Sequence, residues 1–138
     1  MSRKITFLSV GLAINDVLTK ALAGKVTAVF PCAAASDAKM PYVEYARTGI
    51  YNNPTKTHPA PPYDSCNMDV SVYTAEYAEG VDLIEQVREA LEGTRIEYTD
   101  PDDANRRLKV DCSRVIDCQE QAFIDGYLQR ITISCKAY

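Results

Sequence analysis

A single histidine, His58, and five cysteines, Cys32, Cys66, Cys112, Cys118 and Cys135, are the residues through which this chain could run nucleophilic or metal chemistry. His58 and Cys66 are near one another in sequence, and a thiolate activated by an imidazole base is what such a pair would supply. A nucleophile must be partly exposed and held in place by its base. His58 falls among prolines, where nothing in the sequence fixes the ring, and the alternation around Cys66 turns its thiol inward. The pair supports only a competing expectation, a small cytoplasmic α+β enzyme or ligand-binding domain. Asp100, Asp102 and Asp103 could gather a calcium ion, but the run lacks the glycine and the distal glutamate of a calcium loop. No two cysteines have zinc-knuckle or redox spacing. Cys66, Cys112 and Cys135 sit on the apolar phase of alternating stretches, where cysteine serves as a small core hydrophobe. No glycine-rich phosphate cradle or nucleophile elbow occurs. The expectation is a chain with no catalytic residue, no cofactor and no metal.

The elements that must position any working group are easier to read. Cys66, Met68, Val70 and Val72 alternate with Asn67, Asp69 and Ser71, the period of a half-buried strand. At Tyr73–Thr74 the period changes, and Tyr77, Val81, Ile84, Val87 and Leu91 form one helical stripe. Thr74 is placed to cap that helix, and Gly93 to end it in a left-handed conformation. Upstream, Ile14, Val17, Leu18, Ala21 and Leu22 predict a helix over about 9–23 stopped by Gly24. A short strand over 25–30 and a second opening at Pro41 and running to about Tyr51 follow. Downstream come a strand over 95–98, an acidic turn, and two long strands. A bulge is expected near Ser113–Arg114, and the hairpin turn at 119–122 or at Asp125–Gly126. The string α-β-β-β-α-β-β-β predicts an α+β fold, an antiparallel β-sheet with two α-helices packed on one face, as one domain over 1–138.

Pro54, Pro59, Pro61 and Pro62 make 52–65 a long Pro-rich loop between two strands. Prolines reduce the entropy lost on docking, which favours a contact loop. The expected interface residues are Tyr51, Asn52, Asn53, Lys56, His58 and Tyr63, together with the sheet edges. Tyr42, Tyr51, Tyr63, Tyr98 and Tyr138 fall outside the core stripes or at element ends, positions that suit contact surfaces and strand-end packing equally. The net charge of −4 and pI near 5.0 argue against a nucleic-acid grip, which needs clustered Lys and Arg. Arg106–Arg107 is partly neutralised by the acidic run before it. The apolar run after Arg3–Lys4 is interrupted by Asn15, Asp16 and Lys20, so a helix is expected there and no secretion leader. No segment approaches the roughly 20 apolar residues of a membrane span. Reduced thiols in a cytoplasmic setting are the corresponding expectation.

In this order the elements resemble the phage tail completion family of tail-terminator-like proteins, encoded in the head–tail joining region of long-tailed phages and prophages. The likeness rests on the helix Ile14-Asn15-Asp16-Val17-Leu18 with the strand reaching Val29-Phe30-Pro31. It rests also on Pro41-Tyr42-Val43-Glu44-Tyr45, similar to the family's Pro-Tyr-Val strand opening. Most specific is Met68-Asp69-Val70-Ser71-Val72-Tyr73 running through Tyr77 and Ala78 into a helix that ends at Leu91-Glu92-Gly93. It spans nearly the whole chain. The four-proline loop and the cysteine-rich final strands depart from the pattern. The resemblance implies a non-enzymatic capsid-assembly part: a ring homo-oligomer, commonly a hexamer, at the head-proximal end of the tail. Its implied partners are copies of itself, the tail tube protein and head connector proteins. Its implied places are the bacterial host cytoplasm during assembly and then the virion tail.

Overall fold

The computed structural model describes residues 9–52 and 64–137. In chain order the elements are α1 (Val10–Ala21), β1 (Ala28–Pro31), β2 (Tyr42–Asn52), β3 (Asp64–Thr74), α2 (Tyr77–Leu91), β4 (Thr94–Asp100), β5 (Asp103–Phe123) and β6 (Gly126–Ala137). The strands form one six-stranded sheet in the order β1-β2-β3-β6-β5-β4. Alternation decides which face each side chain takes. Val43, Met68, Val70, Ile131, Ile133, Val110 and Cys112 all point to the side where the helices lie, and all are buried. Helix α1 packs on β1, β2, β4 and β5, α2 packs on β3 and β6, and the helices touch each other. Their contribution to the core is Val10, Ala13, Ile14, Leu18, Leu83, Val87 and Leu91.

The expected antiparallel sheet is corrected at one edge. β1 pairs with β2 in parallel, Ala28 beside Tyr42 and Pro31 beside Tyr45, whereas every other pair is antiparallel, so the sheet is mixed. Period-two alternation is the same in either direction. Only the path of 32–41, which carries the chain back to the start of β2, sets the direction. A second correction concerns Thr74. It is the last residue of β3, fully buried, and its hydroxyl donates to the Glu76 carbonyl at 2.8 Å. Glu76 occupies the cap position without a side-chain cap bond, and α2 starts at Tyr77. The hydroxyl that could have reached the first-turn N–H groups is turned into the strand–helix corner instead.

Other expectations match the structure. Gly93 has φ +75° and its N–H donates to the Cys112 carbonyl at 2.8 Å. Register shifts lie between Cys112 and Val115 and again between Val115 and Asp117. The turn expected at 119–122 is corrected: these residues pair with 127–130 as strand, and Phe123 pairs with Gly126, so the hairpin turn is at Ile124–Asp125, overlapping the alternative at Asp125–Gly126.

Candidate interaction surface

Of the residues that could carry chemistry, the structure brings together Cys66, Cys112 and Cys135, all of them buried. Cys66 is 3% exposed on the core face, in lateral register with Cys135, which is in turn beside Cys112. The Cys112 and Cys135 sulfurs are 3.6 Å apart. Sharing hydrogen bonds with the flanking thiols, and burial after that, push the Cys135 thiol up, away from thiolate. Cys32 and Cys118 are the exposed thiols. His58, Asn53, Lys56 and Tyr63 lie outside the described residues, and the loop expected over 52–65 is shorter at both ends, because Asn52 closes β2 and Asp64 and Ser65 open β3. Tyr51 and Asn52 end β2, opposite Ser65 and Asp64. The acidic turn is occupied by its own chain. Asp100 pairs with Arg106 and also accepts from the Asp102 N–H, and Asp103 accepts from the Asn105 N–H. Among the described residues no group of three or more His, Cys, Asp or Glu is arranged to hold a metal ion.

What the fold does assemble is the face of the sheet opposite the helices. Cross-strand register sets Glu44, Ser71, Arg130 and Gln119 in one row, and Ala46, Asp69, Thr132 and Asp117 in the next. Arg130 Nε donates to Ser71 Oγ at 2.8 Å and Thr132 Oγ1 to Asp69 Oδ1 at 2.5 Å. Glu44 accepts from the Ala34 N–H at 2.6 Å, which ties the 32–41 segment to the sheet. Between these rows is a shallow hollow of about 130 Å³, too small for a drug-sized ligand, whose pockets run from ~300 Å³ upward. This face is polar, self-satisfied and open.

One end of it is aromatic. Tyr42 stacks on Tyr73 with ring centroids 4.8 Å apart; Phe30 meets Tyr42 edge-on at 5.9 Å, and Phe123 meets Tyr73 edge-on at 5.9 Å. Four rings from β1, β2, β3 and β5 thus run across the sheet. Tyr42 was expected to lie outside the core and does; Tyr98, by contrast, packs partly buried against it. Burial, and then the hydrogen bond and charge of Glu44, push the Tyr73 phenol up to about 12. The unfolded phenol ionises near its ordinary value of 10.0, so above that pH the folded chain keeps a proton that the unfolded chain has lost. Stability from this group should therefore be intact below about pH 10 and fall as pH rises toward 12. Ultraviolet titration checks it: Tyr42, Tyr45 and Tyr77 are raised as well, so the component to follow is the late one that Tyr73→Phe removes, and Glu44→Gln should bring it part of the way back, since burial is the larger cause. An unchanged late tyrosine in Glu44→Gln would remove Glu44 from the account.

Past the rings, the β5–β6 hairpin carries the most exposed large apolar side chain described, Ile124 at 98%. At the base of the hairpin Tyr77 Oη donates to Glu120 Oε2 at 2.8 Å, and Gln129 Nε2 donates to the same oxygen at 3.1 Å. These two donors hold the Glu120 carboxyl below its usual range, Gln129 contributing most. The hairpin is thereby braced against the start of α2.

No family model matches the chain, and no curated protein does. Solved structures do. One is a chain from a structure described as the virion of a native gene transfer agent (GTA) particle; it superposes with a TM-score of 0.63 at 17% identity, over 96% of this chain and 97% of that one. The fold is shared. At that identity the likeness concerns backbone architecture, and it accounts for both chains almost end to end.

The aromatic row and the Ile124 tip were missed in the sequence because they depend on strand order. Tyr42 and Tyr73 each sit out of phase with a buried valine, Val43 and Val72. That phase was the available signal, but it does not say that the two rings are neighbours.

Proposed function

We propose that this chain is a structural component of a phage-like particle, of the tail-completion kind, and that it works by self-assembly into a ring without catalysing a reaction. The observation that carries the reading is the end-to-end fold likeness to a chain of a gene transfer agent virion. Two features of the molecule support it. On the open sheet face Arg130 pairs with Ser71 and Thr132 with Asp69, and the hollow beside them, about 130 Å³, is below ligand size. Among the described residues the sheet also leaves stretches of strand edge without a neighbour, and bare edges are templates for pairing with another copy. A ring would stop tail-tube growth and offer its other side to the head connector. A net charge of −4 suits a channel that DNA must cross, since a basic lumen would hold the phosphates. The 52–65 segment, with Lys56, His58 and Tyr63, is assigned to contacts with these neighbours.

Multi-angle light scattering across concentration, alone and with purified tail tubes, tests the reading. A discrete closed oligomer that caps tubes is the expected result. A monomer under all conditions, tubes included, would overturn it.

A further inference from the structure

The two bare edges of the sheet are complementary in position, direction, shape and charge. β1 covers β2 only from Tyr42 to Tyr45, so among the described residues 46–52 has no strand on its outer side. β4 covers β5 only as far as Cys112, which leaves 113–123 equally bare. Tracing the antiparallel pairs β2–β3, β3–β6 and β6–β5 shows that β2 and β5 run in opposite directions. The bare stretches therefore lie at diagonally opposite corners. A second copy shifted along the strands would bring its 46–52 beside 113–123 in antiparallel sense, as a sheet continuation requires.

The ends of the two stretches also interlock. The covered part of β2 stops at Tyr45, where β1 ends at Pro31, and this step would meet the β5–β6 hairpin tip of the other copy. At that step is an apolar groove of about 310 Å³ lined by Leu12, Pro31, Cys32, Tyr45, Arg47 and Met68. Leu12 is itself 53% exposed. The tip carries Ile124, fully in water in the single chain. Charges agree: 113–125 holds Asp117, Glu120 and Asp125 against Arg114, whereas Arg47 is the one charged residue of 46–52.

From this we infer that neighbouring copies join head to tail, the β5 edge at 113–123 pairing with the 46–52 edge of the next copy while Ile124 enters that copy's Leu12–Pro31–Tyr45 groove. The contact is heterologous, so it repeats around a ring when its rotation closes. Part of the β5 edge is already engaged: the Val115 N–H donates to Glu92 Oε2 at 2.7 Å and the Cys118 N–H to Asp117 Oδ1 at 2.9 Å. Side chains that hold these donors keep the edge soluble in the free chain, and the Asp117 contact is local enough to exchange for a neighbour's carbonyl. The inference deepens the ring reading and rests on it.

Native thiols make it testable. Cys32 lines the groove and is exposed; Cys66, Cys112 and Cys135 are buried. In a Cys118→Ser background, Ile124→Cys treated with a short bis-maleimide should give a ladder of covalently linked multimers that disappears with Cys32→Ser. Closure within one chain is excluded by distance, because β1 and β5 are four strand spacings apart, about 19 Å. Ile124→Asp should leave the monomer folded and raise the concentration needed for assembly about tenfold or more. An oligomer by light scattering whose cross-links do not depend on Cys32, or that survives Ile124→Asp unchanged, would overturn this docking and leave the ring standing. A monomer at every concentration and on tail tubes would overturn both.

Discussion

Gly126→Ala should be the most damaging small substitution in the described chain. A methyl group there would be 2.1 Å from the Thr74 carbonyl oxygen, 3.1 Å from its carbon and 3.2 Å from Ala75 Cα. All three are main-chain atoms. The Thr74 peptide closes β3 and its side chain is fully buried, so neither partner has room to move aside. Overpacking into flexible side chains costs typically 1–3 kcal/mol; against backbone the loss should be about 3 kcal/mol or more, a large share of an ordinary domain's stability. Gly93→Ala provides the contrast. It has φ +75° but open space around the added carbon, so only about 1 kcal/mol of backbone strain is expected. Urea unfolding of the two variants decides the matter. A Gly126→Ala midpoint equal to that of the parent would mean that strand end and hairpin do not meet as closely as described.

Ile133→Ala should cost about 2–5 kcal/mol, in the upper part of that span. Ile133 is fully buried at the centre of β6, opposite Met68 on β3 and Val115 on β5. Its removal leaves a hole floored by hydrogen-bonded sheet and roofed by helix, neither of which collapses readily. Ile116 is the control: the same side chain on β5, 46% exposed, should lose no more than about 0.5 kcal/mol as alanine. The unfolding slope should be unchanged in both, since the surface exposed on unfolding is nearly the same. Equal losses at the two positions would refute the assignment of the core face.

Much of this architecture could be read from periodicity. The span from Tyr77 to Leu91 became α2, although its buried face is Gly80, Leu83, Val87 and Leu91 and Tyr77 is exposed; the alternation around Met68 became β3, and Cys66, Cys112 and Cys135 are core residues. Each is a local property, decided by which side of an element faces apolar surroundings. Neighbour relations are not local. The parallel direction of β1, the central place of β6 and the meeting of Tyr42 with Tyr73 depend on how connecting segments travel, and residues 25–41 carry the same alternation in either direction. Thr74 failed for a different reason: two acceptable partners competed for one hydroxyl, and burial at the strand end chose the Glu76 carbonyl. The contact surface was the least legible part. Ile124 signals only through its isolation at the hairpin turn, and the bare edges exist only once the strand order is known.

The strand order has a consequence for synthesis on the ribosome. β1–β2–β3 and β4–β5 share no direct pairing, and within the sheet β6 alone joins them. Both portions leave the exit tunnel first and must wait, each with an apolar face and unpaired amides, until residues 126–137 arrive to unite them. Nascent chains stalled just before that point should be the ones most prone to clump or to recruit chaperones.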